Sequence, residues 1–485
     1  QVPLRVPNAH YRGFPSGEFH SLNYAAEVYK KPTRTENTTR RVSVLASANY
    51  TWNDIYLVDA SVRFDGSSEF GANQKWAPFF SGGLGVNIHN YDFFKSNGYI
   101  NKLKLRASYG RTGKVNFPAY AATTMYETLF DEWYITGYGA VLKALGNKDL
   151  TWEKTDKLSV GIETKTFHDR LTVDFEYYYN KTIDLVNDVT LSQTSGFSTY
   201  KDNMGQVANK GVELKLRADI YRDRNWNVAL WGNMAHNKNE ILKISDSQKA
   251  YNERVAAYYK NEALYQETLG LSHGAEYSVP LPQYEEGASL TSIWAVRSLG
   301  IDPTTGKEIF LNRDGSIADK WNAAQEVVVG NTEPKCSGAF GLNLSYKNWT
   351  LFASFLYEWG GQEYNQTLVN NVENADLVNK NVDLRVLTDR WKKPGDIAQF
   401  KDIKDRGMTT LPTSRFVQDK ALVRLNSLNV SYDFNRDWIK KHLCMNLLRL
   451  EASTSDLINW SSIKQERGLS YPRSWKVEFS LKAQF

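Results

Sequence analysis

Apolar and polar residues alternate with a period of two along most of this chain. In RLTVDFEYYYN (170–180), Leu171, Val173, Phe175, Tyr177 and Tyr179 share one face, and Thr172, Asp174, Glu176 and Asn180 share the other. In RVSVLASANYTW (41–52) the apolar face is Val42, Val44, Ala46, Ala48, Tyr50 and Trp52. The chain closes on SWKVEFSLKAQF, where the alternation runs unbroken to an aromatic last residue, Phe485. Successive strand residues point to opposite sides of a sheet, so this is a strand pattern rather than a helical one. It predicts fourteen strands, at 20–31, 40–52, 54–66, 77–89, 102–112, 153–168, 170–188, 205–222, 225–241, 336–347, 349–364, 416–434, 445–458 and 473–485. Many exceed the ~5–6 residues usual in soluble proteins. They match the ~9–11 residues that a tilted strand needs to cross a bilayer, with lipid-facing and interior-facing side chains in alternation. Several apolar faces end in Tyr, Trp or Phe, as expected at a headgroup layer.

The connections carry a second signal. Asn53–Asp54, His168–Asp169, Asp223–Arg224 and Lys347–Asn348 are tight turns, whereas 113–152, 242–335 and 365–415 are long loops. If strands alternate up and down, all the short turns fall at one end and all the long loops at the other. This asymmetry is that of a transmembrane antiparallel up-and-down β-barrel, an all-β fold with short periplasmic turns and long outer loops. The stretch 290–312 reads as a further hairpin around Pro303–Gly306, placed outside the membrane within the longest loop. Soluble sandwich strands also alternate, but they are shorter and their loops need not segregate by end.

Composition narrows the function. Hydrophobic residues make up 41% of the chain and aromatics 13%, yet no apolar run approaches the ~18 residues of a membrane helix. The formal charge of +5 is small, with no basic tail or Arg-rich helix for nucleic acid. QVPLRVPNAH lacks the apolar core of a signal peptide. The seven histidines show no ligand spacing, and no metal site or cofactor is expected. No GxSxG, phosphate loop or nucleophile constellation is present, so the chain reads as a non-enzyme. Glu285–Glu286 reads as a solvated loop pair, and Asp314–Gly315 as a turn rather than a calcium loop. Cys336 and Cys444 fall at opposite ends of the predicted wall, more than ~20 Å apart, against the ~4.4–6.8 Å between Cα atoms that a disulfide requires. No bond between them is expected.

The stretch RFDGSSEFGANQKWAPFFS (63–81) resembles the signature of SusC/RagA-type TonB-dependent outer-membrane transporters. LKLRASYGRTG (103–113), LTWEKTDKLSVGIE (150–163), FEYYYNKTIDLV (175–186), NKGVEL (209–214), VGNTEPKCSGAFGLNLSYKNW (329–349), DRWKKPGD (389–396) and LVRLNSLNVSYDF (422–434) agree in order. Lys75–Trp76–Ala77, Phe79–Phe80 and the TGK at 112–114 depart from the usual pattern without touching the fold. The resemblance implies a barrel of about twenty-two strands, of which these would be the last fourteen. It also implies an N-terminal plug, absent from this chain, with 1–19 as an incoming segment and 20–485 as the C-terminal part of the barrel.

By the same resemblance, the whole protein imports large nutrients, oligosaccharides or peptides, across the outer membrane of a Gram-negative bacterium. Its partners would be a SusD-like surface lipoprotein as lid, TonB acting through the N-terminal region, the missing plug and strands, and outer-membrane lipid. A homodimer of transporter–lid pairs is a further expectation. A passive porin and a barrel-based surface adhesion protein stay open as alternatives. Cargo rings would stack on outer-loop aromatics. The candidates are Tyr126, Trp133, Tyr134, Tyr138, Trp294, Trp321, Trp391 and Trp460, and the alternative for each is loop packing. Asp65, Ser67 and Ser68 are expected to hold a loop. Phe485 is implied as the signal for barrel assembly, or else as an interfacial anchor.

Overall fold

The computed structural model describes residues 8–12, 27–33 and 38–484, except 96–97, 116, 118–119, 135–136, 191–198, 204, 247, 251, 254–283, 380, 408–409, 435 and 465–475. Fourteen strands form one antiparallel sheet. Thirteen of them follow one another in chain order: β1 (Arg41–Trp52), β2 (Tyr56–Ser67), β3 (Trp76–Asn87), β4 (Ile100–Lys114), β5 (Glu153–Thr166), β6 (Leu171–Ile183), β7 (Gln206–Arg222), β8 (Trp226–Lys243), β9 (Cys336–Tyr346), β10 (Trp349–Tyr364), β11 (Val417–Asp433), β12 (Leu447–Ser455) and β13 (Lys476–Gln484). The short strand Asn459–Ser461 pairs with β11 beyond the end of β12. Among the described residues β1 and β13 are the two edges and do not pair with each other.

Register keeps the two faces separate across the wall. Ala107, Val160, Tyr177, Val212 and His236 stand opposite one another on β4 to β8. Their apolar neighbours, such as Leu105, Ile162, Phe175 and Leu214, continue the same outward face. The other face carries ion pairs: Lys102–Glu163 at 2.6 Å, and Arg106 to Asp174 and Glu176 at 2.8 and 2.6 Å. Paired charges on one side and exposed aliphatic rows on the other are the sidedness of a wall between water and lipid. Outward aromatics crowd the short-turn end, where Trp52 meets Tyr56, Trp226 meets Tyr346 and Trp349 meets Tyr432 at centroid distances of 5.5, 4.2 and 4.8 Å. No helix among the described residues is long and apolar enough to cross a membrane.

Short turns and long loops separate by end, as the alternation requires. The β1–β2 turn has φ of 51° at Asn53 and 55° at Asp54, left-handed values that Asn and Asp tolerate better than most residues. Two connections at this end are longer and carry helical turns, at Ile88–Asn90 with Asp92–Lys95, and at Arg436–Leu443.

Two strand expectations need correction. Of the predicted first strand, 20–31, residues 20–26 lie outside the described residues, and the rest does not join the wall: Glu27–Thr33 pairs with Asn8–Arg12 in a separate two-stranded sheet. The predicted 170–188 is two elements. At Asp184 φ turns to 58°, and Val186–Thr190 leaves the wall to pair with Thr199–Asn203. The hairpin around Pro303–Gly306 lies outside the wall as expected, with Arg297–Ile301 against Glu308–Leu311 in a three-stranded sheet.

Two small cores hold the loops at the rim. In one, Phe70 stacks on Trp152 at 4.2 Å, beside Phe79, Phe117 and Leu150. In the other, Leu368, Val369, Val372, Val386, Phe400 and Phe416 gather the loop between β10 and β11.

Candidate functional site

The inward face of β4 to β8 contains a polar cavity of about 510 Å³. Its lining comes from the polar register of each strand in turn: Ser108, Lys157 and Ser159, Glu176, Tyr178 and Asn180, Asn209 and Glu213, and Asn237. Tyr178 belongs to the run of three tyrosines in β6; Tyr177 and Tyr179 face out while Tyr178 faces in. Its hydroxyl donates to Asn237 Oδ1 at 2.9 Å, and Asn237 donates in turn to Asn209 and Glu333. Asn239 donates to Asn209 Oδ1 at 2.9 Å, so β7 and β8 share one amide cluster that Tyr178 joins from β6. Gly211 is what lets the Tyr178 phenol lie across β7, because a Cβ there would stand 2.7 Å from the Tyr178 hydroxyl and 2.1 Å from His236 O. The arrangement offers amide, phenol, carboxylate and ammonium groups on a rigid wall. It can hydrogen-bond a polar solute, but it carries no nucleophile–base pair.

Above the wall, the loops around 290–335 and 365–415 lock together through charge. Arg415 reaches Glu308 Oε2 at 2.9 Å and Glu373 Oε1 at 2.7 Å, with all three side chains largely buried. It also donates to Gln399 O at 2.5 Å and lies 4.4 Å over the Phe416 ring. Arg390, buried, donates to the backbone oxygens of Val386, Lys401, Val372 and Glu373. Burial pulls the neighbouring Lys401 ammonium below its ordinary pKa.

The aromatic candidates do not converge on one surface. Trp391 is 8% exposed, and its indole N–H donates to Pro303 O at 2.9 Å. Trp321 donates to Pro412 O at 2.9 Å. Both rings tie one loop to another. Trp294 is half-buried in the strand Ser292–Ala295. Trp460 pairs with Val423 on the outward face, away from the cavity. Tyr126 is exposed on the hairpin of Met125–Tyr134 with Gly137–Ala144. Trp133, Tyr134 and Tyr138 share its tip by backbone register, and their side chains lie outside the described residues, as does Phe485. Asp65, Ser67 and Ser68 are engaged locally: Asp65 pairs with Arg63, Ser67 donates to Glu69, and the Ser68 hydroxyl accepts from Arg40 N. The Asp314 carboxylate accepts from Ser316 within a turn. Cys336 and Cys444 are free thiols.

Sequence reasoning missed the cavity residues because it searched the loops. The available signal was a tyrosine and several asparagines in the polar register of neighbouring strands. It also missed Glu326, 1% exposed at the edge of the strand Val327–Asn331. Burial pushes its carboxyl up from 4.5 to about 7, with Arg313 opposing. The folded state therefore holds this proton to higher pH than the unfolded chain does. Its contribution to stability is full below about pH 4.5 and is lost as pH rises to about 7, a loss of at most about 3 kcal/mol. Limited proteolysis of the 313–331 region should thus run faster at pH 8 than at pH 5, and Glu326→Gln should remove that difference. A wild-type region equally resistant at both pH values would refute the assignment.

The family model described as TonB dependent receptor-like, beta-barrel matches residues 5–438. A TonB-dependent receptor of Formosa agariphila is 27% identical over 97% of this chain and 49% of its own length. The TonB-dependent receptor SusC of Bacteroides thetaiotaomicron is 30% identical over 49% of this chain and 24% of its own. The chain thus spans about half or less of the length of the curated relatives it matches. Among solved structures, the RagAB peptide transporter superposes with a TM-score of 0.79 at 23% identity, covering 98% of this chain and 51% of that one, which shows the shared fold. The chain belongs to the TonB-dependent receptor-like β-barrel family, whose members sit in the outer membrane of Gram-negative bacteria.

Proposed function

We propose that the complete protein imports oligosaccharides or peptides as a SusC-like TonB-dependent transporter, with a SusD-like lipoprotein as its lid. The observation that carries this reading is the inward cavity of about 510 Å³, with amides, carboxylates and a phenol facing the barrel interior. Such groups suit cargo rich in hydroxyls or peptide amides, and they bind without chemistry. Names of similar proteins point the same way: one is SusC, another a peptide transporter. In this reading the long loops face outward beneath the lid. TonB acts through the plug of the complete protein, and transporter–lid pairs assemble as a homodimer. Of the aromatic candidates, Tyr126 and its hairpin neighbours Trp133, Tyr134 and Tyr138, together with Trp294, are the ones proposed to meet cargo. Trp321 and Trp391 pin loops together through their indole N–H groups, and Trp460 faces outward beside Val423. Phe485 serves as the assembly signal.

The test is uptake of labelled oligosaccharides and peptides by cells carrying the full-length protein, with and without TonB. Removing TonB should abolish uptake. Each hydrogen-bonding group deleted from the wall, as in Asn180→Ala or Glu213→Ala, should weaken apparent affinity roughly two- to tenfold, the equivalent of ~0.5–1.5 kcal/mol. Uptake that persists without TonB would make the protein a passive porin. Cell adhesion with no uptake of either cargo would make it an adhesion protein.

A further inference from the structure

A second cavity, of about 530 Å³, lies between β8, β10 and β11, and its lining joins outward residues such as Trp359 and Asp419 to the inward Asn237. It forms where β10 is interrupted. The register of β10 against β11 shifts between Trp359 and Gly361, and Gly360 takes a φ of 80° that a side chain would strain. The segment just before β9 crosses this bulge so closely that a Cβ on Gly360 would stand 2.9 Å from Lys335 Cβ. On the other flank, His236 Nδ1 lies 2.7 Å from Lys335 O.

One side of the opening belongs to the outward face. Trp359 stands opposite Cys336 and Ala421, in the column that descends through Tyr357 and Phe355. Trp359 is 70% exposed. Asp419, two residues from Ala421, faces the same way and accepts from Gln362 Nε2 at 3.0 Å. Lys238 and Lys335 close the rim, and the Glu333 carboxylate beside them is engaged by Asn237 and by Asn239 N. Trp460 stands one row nearer the short-turn end, beside Val423 and Tyr357.

An exposed indole at the upper end of an outward apolar column marks the level of lipid headgroups. Here the indole adjoins a carboxylate–amide pair and two ammonium groups rather than more aliphatic surface. A flat indole face suits the C–H face of a sugar ring, Asp419 and Gln362 suit its hydroxyls, and Lys238 and Lys335 suit a phosphate on it. We propose that this cavity binds the phosphorylated sugar headgroup of an outer-leaflet glycolipid, whose acyl chains run down the column of Trp359, Tyr357 and Phe355. The indole side of the site faces away from the cargo cavity, and Asn237 is the residue that lines both. The site rests on the proposed function only for the orientation that puts the long loops outside the cell.

The experiment uses the full-length transporter in phosphatidylcholine nanodiscs doped with either lipid A or phosphatidylglycerol, with co-purifying lipid counted by native mass spectrometry. Wild type should retain lipid A in excess of phosphatidylglycerol. Trp359→Ala and Lys335→Glu should each lower that enrichment roughly two- to tenfold, with barrel folding, read by resistance to detergent unfolding, unchanged. Equal lipid A retention by wild type and Trp359→Ala would overturn the proposal, as would equal retention of the two lipids by wild type. Orientation is read separately by labelling Ile397→Cys on intact cells, in a Cys336→Ser, Cys444→Ser background, with a membrane-impermeant maleimide. Ile397 is 95% exposed in the long loop between β10 and β11. Absence of label overturns both readings. Label together with unchanged lipid retention overturns the glycolipid site alone.

Discussion

Replacing Arg415 with methionine should unlock the loop layer while leaving the wall intact. The guanidinium satisfies two carboxylates at once, and the Glu373 side chain has no exposed surface while Glu308 has little. Removing the cation strands both. Breaking a buried pair by deleting one partner costs about 3–5 kcal/mol, because the charge left behind has neither water nor a partner. The cost falls on local opening of the 365–416 region and the Glu308 strand, since these are the pieces that Arg415 joins. Hydrogen exchange should therefore show protection lost by roughly two to three orders of magnitude at amides such as Trp391 N and Asn365 N, which bond to Phe400 O and Phe416 O. Exchange in β4 to β8 should not change. Adding Glu308→Gln and Glu373→Gln to the methionine variant should restore much of the protection. If Arg415→Met leaves those loop amides as protected as before, the triad is not what holds the layer.

The second large effect concerns the sidedness of the wall. Val160 and Ser159 are adjacent in β5, but Val160 stands in the outward row with Ala107 and Tyr177 while Ser159 lines the inward cavity. An arginine on the lipid face near the bilayer midplane costs about 2–4 kcal/mol, whereas a lumen-facing change avoids the lipid penalty. Val160→Arg should thus lower the unfolding free energy of the full-length protein in bilayers by about 2–4 kcal/mol, and Ser159→Arg by less than about 1 kcal/mol. Urea unfolding monitored by tryptophan fluorescence measures both. Equal costs, or the larger cost at Ser159, would reverse the assignment of the faces.

Alternation, strand length and the segregation of loops by end were legible in the chain alone, and for a local reason. The pleat assigns each side chain a face from its own position in the strand, so a period of two survives without knowledge of any partner. Turn chemistry is equally local, as Asn53–Asp54 shows with its pair of left-handed residues. The polar wall was half legible. Glu176, Tyr178 and Asn180 could be read as one face, but not that they meet Asn209 and Asn237, because that depends on register across three strands.

Tertiary structure alone decided the rest. Trp321 and Trp391 look like exposed loop aromatics until their N–H groups find carbonyls at Pro412 and Pro303, about ninety positions away in sequence. Trp460 looks like a loop residue until three residues pair with β11 and turn it outward. Glu27–Thr33 carries the pattern of a wall strand but pairs with Asn8–Arg12 instead, since alternation says how a strand faces and not which strand it joins. The second cavity needs the Gly360 bulge, the crossing at Lys335 and three strands in register at once. The sequence by itself determined the faces, because each follows from a residue's place on its own strand. The contacts came only with the tertiary structure, because each requires two distant segments to arrive at the same place.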